Sequence, residues 1–240
     1  MKSIILAAGY ATRLYPLTEN FPKPLLQIGS STILGRLLDD VDTIPEISEH
    51  IIVTNGKFAG QFERWARDRK NVTVLSDGTF TNETRLGAVK DLILALERFD
   101  IDEDILVLAA DNILDFSLKG FVEEFRRKGT SMIMCHYEPE IYKLQRTGVI
   151  EVDDDMKVLQ MQEKPAVPVS QWAVPPFYIY RRADLPLIKQ ALDHGCGFDA
   201  PGNLAHYMVG ASTLHAWPMP AGRFDIGSLD TYEEAKKKYV

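Results

Sequence analysis

LAAGYATRLYPLTENFPKP, residues 6–24, is the stretch whose reading decides the fold. An apolar strand, Ser3-Ile4-Ile5-Leu6-Ala7, runs into Ala8-Gly9-Tyr10-Ala11-Thr12-Arg13. Small residues there let the backbone approach a ligand, and successive N–H groups can face one anion. That arrangement suits a polyphosphate. Two cations follow. Arg13 offers a planar fork for phosphate oxygens, and Lys23 is a point charge between Pro22 and Pro24, where the backbone is restricted. The loop is neither a Walker loop, since no GK[ST] closes it, nor GxGxxG, since the spacing differs.

The rest of the chain fits one α/β domain around this loop. At 240 residues and 45% hydrophobic composition, it is long enough for one sizeable core and short for two. A net charge of −7 argues against nucleic acid as the main partner, because such binders need a basic face. Local cations must therefore bind the anions. No stretch approaches the roughly 18 uninterrupted apolar residues of a membrane span. Arg13 and the prolines arrive before a signal-peptide core is complete. The two cysteines, Cys135 and Cys196, form no metal-ligand pattern and fit a reducing cytoplasm as small apolar groups.

Helices and strands alternate. Ile33 to Val41 reads as a helix capped by Thr32, Ile51 to Thr54 as a strand, Phe58 to Arg69 as a helix and Val72 to Leu75 as a strand. A polar loop, Ser76 to Gly87, then enters a helix with Leu86, Val89, Ile93 and Leu96 on its apolar face. Ile105 to Ala110 is fully apolar, as in a central strand buried on both faces, and it ends in Asp111. This alternation predicts a Rossmann-like, doubly wound, mostly parallel mixed sheet flanked by helices, with ligands beyond the carboxyl ends of its strands. A carboxylate at that edge suits Mg²⁺, which prefers oxygen ligands. Further on, Leu118–Lys128 reads as helix and Ser131–His136 as strand, and Thr147–Val152 with Lys157–Gln162 form a hairpin around the solvated Asp153-Asp154-Asp155. Trp172–Tyr180 reads as one strand, Leu185–Leu192 as a helix, Phe198–Asn203 as a turn into a short helix, Leu214–Trp217 as the last strand and Leu229–Tyr239 as a helix capped by Ser228.

The opening stretch resembles the signature of the sugar-1-phosphate nucleotidylyltransferases, LAxGxGTRLxPLTxxxPKPxxxI, and is similar to the glucose-1-phosphate thymidylyl- and uridylyltransferases among them. Ala11 replaces the second glycine, which fits if its φ is negative. Later residues extend the resemblance in the family's order. Glu163-Lys164-Pro165 matches a motif whose lysine contacts the sugar phosphate and whose glutamate contacts the sugar. Gly148 and Tyr178 match residues placed by the sugar, and Asn82 and Gly87 match positions that read the base. Gly222 to Ser228 resembles W-x-D-I-G-T, making Asp225 a second Mg²⁺ ligand beside Asp111. Pro176 departs from an expected glycine, and Arg223-Phe224 departs from the usual tryptophan. The resemblance implies the nucleotide-diphospho-sugar transferase fold. It also implies transfer of a nucleoside monophosphate from a triphosphate to a sugar-1-phosphate, with Arg13, Lys23 and Lys164 catalytic and the triphosphate bound by Leu6, Ala8, Gly9, Tyr10, Ala11, Thr12, Asn82, Gly87 and Asp111. There is no room for the hexapeptide-repeat tail of some relatives, so any homo-oligomer is expected to assemble through this domain.

Two alternatives stay open at this point: the same transfer to a phosphocholine- or phosphonate-like acceptor, and a nucleotide-sugar-sensing subunit that binds without turnover. In-line displacement by a phosphate needs no general base, because a phosphate monoester with a second pKa near about 6 is already anionic at neutral pH. His50, His136, His194, His206 and His215 all lie outside the signatures. Each His→Ala variant that folds is expected to keep turnover within a few-fold, as measured by pyrophosphate release; a hundredfold loss from any one would contradict this.

Overall fold

The computed structural model describes residues 1–239. In chain order it gives β1 (Lys2–Leu6), the paired short strands β2 (Gln27–Ile28) and β3 (Ser31–Thr32), α1 (Ile33–Val41), β4 (Glu49–Thr54), α2 (Ala59–Ala66) and β5 (Val72–Ser76). Then come α3 (Ala88–Arg98), β6 (Ile105–Ala109), β7 (Asn112–Leu114), α4 (Lys119–Lys128), β8 (Ser131–Tyr137), α5 (Ile141–Leu144), β9 (Gly148–Val152) and β10 (Val158–Glu163). The chain finishes with β11 (Trp172–Val174), β12 (Phe177–Tyr180), α6 (Leu185–Gln190), α7 (Pro201–Ala211), β13 (Leu214–Pro218), β14 (Arg223–Asp225) and α8 (Leu229–Lys238).

Two compact units emerge. The first holds Met1–Leu86, Ala109–Lys119 and the described residues from Ala221 onward. It carries the parallel part of the expected mixed sheet: β4 pairs in parallel with β1 and with β5. Ile4, Ile5, Ile51 and Ile52 are wholly buried there, as strands covered on both faces require. Thr32 caps α1 as expected, its hydroxyl accepting from the Gly35 N–H. Ser228 caps α8 in a reciprocal box with Thr231.

The second unit holds Gly87–Leu108 and Gly120–Pro220. Its strands are mixed: β12 lies antiparallel between β6 and β8, β11 antiparallel between β8 and β9, and β13 parallel to β8. The expected β9–β10 hairpin forms, with Glu163 opposite Gly148. Cys135 is buried, and desolvation pushes its thiol up to about 12, so it behaves as a packing group.

Four readings change. Trp172–Tyr180 is two strands, because Pro175-Pro176 removes consecutive N–H donors and the chain leaves β9 for β6 across that break. Leu214–Pro218 is not the last strand, since β14 follows it and pairs with β7. The helix after Phe198 is not short but runs eleven residues, as α7. Ala11 has φ 47 and ψ 43, so the negative φ that would excuse an alanine is not what forms. The Thr18 hydroxyl donates to the Ala11 carbonyl at 2.8 Å, and Leu14 N–H donates to the same oxygen. These bonds hold the loop in the left-handed region against a cost of about 1–2 kcal/mol for an L-residue.

That conformation predicts a stabilising substitution. Ala11→Gly should relieve the strain, less about 0.5–1 kcal/mol of added unfolded-state entropy. The melting temperature should rise by about 1–4 °C for a chain of this size. A lower melting temperature would contradict the left-handed assignment.

Candidate functional site

In the first unit, a cavity of about 160 Å³ is lined by Leu6, Ala7, Gly9, Ala11, Arg13, Lys23 and Asp111, among others. Three candidates for the phosphate loop, Leu6, Gly9 and Ala11, thus line one cavity with both predicted cations and the first predicted metal ligand. A Cβ built on Gly9 meets no protein atom within 4 Å, so the space beside that backbone is open to a ligand. Ala8 is buried, and its carbonyl accepts from the wholly buried Asn55 amide at 3.0 Å. Asn55 was not singled out from sequence; it ties the loop to the end of β4. Tyr10 points inward, its hydroxyl 3.2 Å from that of Thr79, so only its backbone is available to a ligand. Thr12 is exposed at the start of a 3₁₀ turn that carries Arg13.

Asp111 and Asp225, 114 positions apart in sequence, are brought together by the β7–β14 ladder, which sets Asp225 opposite Asn112. Ile226 N–H donates to the Asp111 carbonyl at 3.3 Å. Lys23 is buried, and its Nζ donates to Asp111 Oδ2 at 3.0 Å. Asp225 keeps an accessible face, yet its carboxyl is pushed up from the usual range by desolvation and then by the charge of Asp111, against the opposing pull of Lys23, Arg223 and Arg13. A recess in which the Asp111 charge and desolvation make ionisation of Asp225 costly is chemically suited to a divalent cation. Both residues are oxygen donors, the kind Mg²⁺ takes. No cluster of three or more His, Cys, Asp or Glu side chains among the described residues forms a fuller cage.

The second unit assembles the other candidates. Gly148 and Glu163 face one another across the hairpin, and a Cβ on Gly148 would lie 3.5 Å from Glu163 Oε2. Burial pushes the Glu163 carboxyl up, partly offset by Lys164, whose Nζ is 3.7 Å from Oε1. Lys164 is exposed and has φ 48, with its N–H donating to Thr147 O at 3.0 Å. Tyr178 is buried and its ring stacks on Tyr180 at 6.0 Å; burial and the Glu163 charge push its phenol up. Gly87 has φ 93, and a Cβ there would meet Phe198 O at 2.6 Å. Its requirement for glycine therefore comes from its backbone angle and the 198–199 segment, which fills the side-chain space. Asn82 opens a 3₁₀ turn in the first unit and is partly exposed.

Sequence reasoning missed Gly202. It begins α7, and a Cβ there would come within 1.8 Å of Glu163 Oε2. His206, one turn later, bonds its Nδ1 to the Met161 carbonyl on β10. The proline before Gly202 marked a helix start, but nothing local linked that turn to Glu163.

The chain belongs to the nucleotidyl transferase family, whose model matches residues 2–240. It is 26% identical, over 99% of its length, to a glucose-1-phosphate adenylyltransferase of Fervidobacterium nodosum, of which it spans 60%. It is 25% identical, again over 99%, to the UTP–glucose-1-phosphate uridylyltransferase AglF of Haloferax volcanii, of which it spans 96%. The fold matches that of a Bacillus anthracis structure, described as a glucose-1-phosphate thymidylyltransferase in complex with sucrose, with a TM-score of 0.83, 21% identity and coverage of 100% of this chain and 95% of that one. A UDP-glucose pyrophosphorylase complexed with UDP-glucose matches with a TM-score of 0.81, 20% identity and coverage of 99% and 97%.

Gly202→Ala should displace the Glu163 carboxylate, with roughly tenfold weaker binding of the sugar-bearing ligand and unchanged triphosphate binding, read by calorimetry. Restored affinity in Gly202→Ala/Glu163→Asp, whose carboxylate is one methylene further back, would confirm the cause. Unchanged affinity in the single variant would show that the carboxylate does not need this space.

Proposed function

We propose that this chain transfers a nucleoside monophosphate from a nucleoside triphosphate to a sugar-1-phosphate, giving a nucleotide-sugar and pyrophosphate. The observation that carries the reading is the Lys23–Asp111–Asp225 cluster at the end of the phosphate loop, in a chain of the nucleotidyl transferase family. A sensor that only bound nucleotide would have no use for two like charges kept so close.

Each residue has a role in the transfer. The backbone from Leu6 to Thr12 cradles the triphosphate, and Arg13 and Lys23 offset its charge. Asn82 and the Gly87 backbone face the base, while Gly148, Glu163 and Tyr178 bind the sugar and Lys164 its phosphate. A phosphate oxygen of the acceptor attacks the α-phosphorus; the bond from that phosphorus to the β-bridging oxygen breaks, and pyrophosphate leaves with the electron pair. Held in line by these groups, the two phosphates meet despite their repulsion. Asp111 and Asp225 would hold Mg²⁺, which when bound supplies positive charge to the phosphoryl oxygens. Among the described residues, no helix is long and apolar enough to cross a membrane.

The test is pyrophosphate release with Mg²⁺ over a grid of common nucleoside triphosphates against glucose-1-phosphate, other sugar-1-phosphates and phosphocholine. Release that requires one triphosphate and one sugar-1-phosphate together is expected, and Asp111→Ala and Asp225→Ala should each abolish it while leaving a folded protein. Release only with phosphocholine would move the acceptor class. Triphosphate binding without release anywhere on the grid would favour a sensor.

A further inference from the structure

The arginine that departs from the family tryptophan is not a packing substitute. Arg223 Nη1 donates to Asn112 Oδ1 at 2.6 Å, and Asn112 Nδ2 donates to Asp111 Oδ1 at 2.7 Å. A guanidinium has only donors, so it fixes which end of the amide it meets: oxygen toward Arg223, and therefore nitrogen toward Asp111. Asn112 is buried at 2% exposure, with no water to compete for its amide. Lys23 holds the other carboxylate oxygen, Oδ2, at 3.0 Å. Both oxygens of Asp111 are thus tied, each by one donor, and the plane of the carboxylate cannot turn freely.

The same arginine shares a short strand with the second carboxylate. Residues 223 and 225 of β14 project from one face of the strand. The ladder sets Asp225 opposite Asn112 and Arg223 opposite Leu114. One side chain therefore bonds to the amide that orients Asp111 and stands on the same strand face as Asp225.

We infer that Arg223 and Asn112 form a positioning relay that orients the Asp111 carboxylate so that it and Asp225 present oxygens to one divalent cation. The inference rests on the metal site of the proposed function and assigns two residues that take no ligand themselves. Groups that orient metal ligands matter about 10- to 100-fold in metal affinity. A cation helping to hold a cation is counterintuitive, and that makes the sign of the effect diagnostic. If Arg223 acted only through its charge, removing it would strengthen binding of a divalent metal. If it acts through Asn112, removing it weakens binding.

The experiment uses Mn²⁺ alone as probe, its free-ion signal followed by electron paramagnetic resonance, on the full chain and on Arg223→Met, Arg223→Lys, Asn112→Ala and the Arg223→Met/Asn112→Ala double variant. Arg223→Met and Asn112→Ala should each weaken Mn²⁺ binding about tenfold, and the double should be within about threefold of the worse single, because the two lie on one path. Arg223→Lys, which keeps a donor, should recover part of the loss, and it carries the test with Asn112→Ala if the methionine variant does not fold. Unchanged or tighter Mn²⁺ binding in Arg223→Met, multiplicative losses in the double, or absence of Mn²⁺ binding in the unaltered protein would each overturn the relay. Weakened Mn²⁺ binding in the variants, together with no pyrophosphate release anywhere on the substrate grid, would retire the transfer reaction and leave the relay standing.

Discussion

Two carboxylates held side by side are the constraint on which the first unit depends. Like charges at close range repel, and partial burial adds a desolvation penalty, visible in the raised protonation of Asp225. The fold meets that cost with a short ladder of three residue pairs and an apolar base. The residues next to the site's polar groups are the anchors: Leu14 follows Arg13, Ile113 follows Asn112 and Ile226 follows Asp225, and all three lie in one buried cluster with Leu26, Ile28, Ile33, Tyr232 and Ala235. Packing of apolar neighbours, rather than attraction among the charged groups, therefore sets the positions of the site's side chains. Lys23, brought in between two prolines, supplies the compensating charge.

The second unit solves a similar problem by different means. Glu163 has one weak cationic neighbour at 3.7 Å, and its burial is made possible by what is missing around it. Gly148 across the hairpin and Gly202 at the start of α7 leave room for the carboxylate, and the His206 bond to Met161 fastens α7 to β10 beside it. A group poised this way is an acceptor of hydrogen bonds with few protein donors to satisfy it.

How much of this was legible in the sequence varies with the range of the interaction. The β1 strand, the α1 and α8 caps and the β9–β10 hairpin were readable because each is encoded within about twenty consecutive residues. The place of Asp111 just beyond β6 was readable because an apolar run ends before it. What could not be read arises between distant segments. The Gly202–Glu163 contact joins positions 39 apart, and the Arg223–Asn112 bond joins positions 111 apart. Gly87 illustrates a different limit: its φ of 93 and the 198–199 segment packed against it call for a glycine, and neither is visible in its local sequence. Trp172–Tyr180 was read as one strand because its apolar pattern outweighed the two prolines, whose missing donors in fact split it. Ala11 shows that a left-handed position can be forced on an alanine when Thr18 and Leu14 bind its carbonyl.

The most direct test of the account is a crystal structure with Mn²⁺ and a nucleoside triphosphate, read by anomalous scattering at the manganese edge. The account predicts one strong peak within coordination distance of both Asp111 and Asp225, with the triphosphate lying along residues 6–13. A peak bound by neither carboxylate, or by Asp225 with Asp111 still paired only to Lys23 and Asn112, would contradict it.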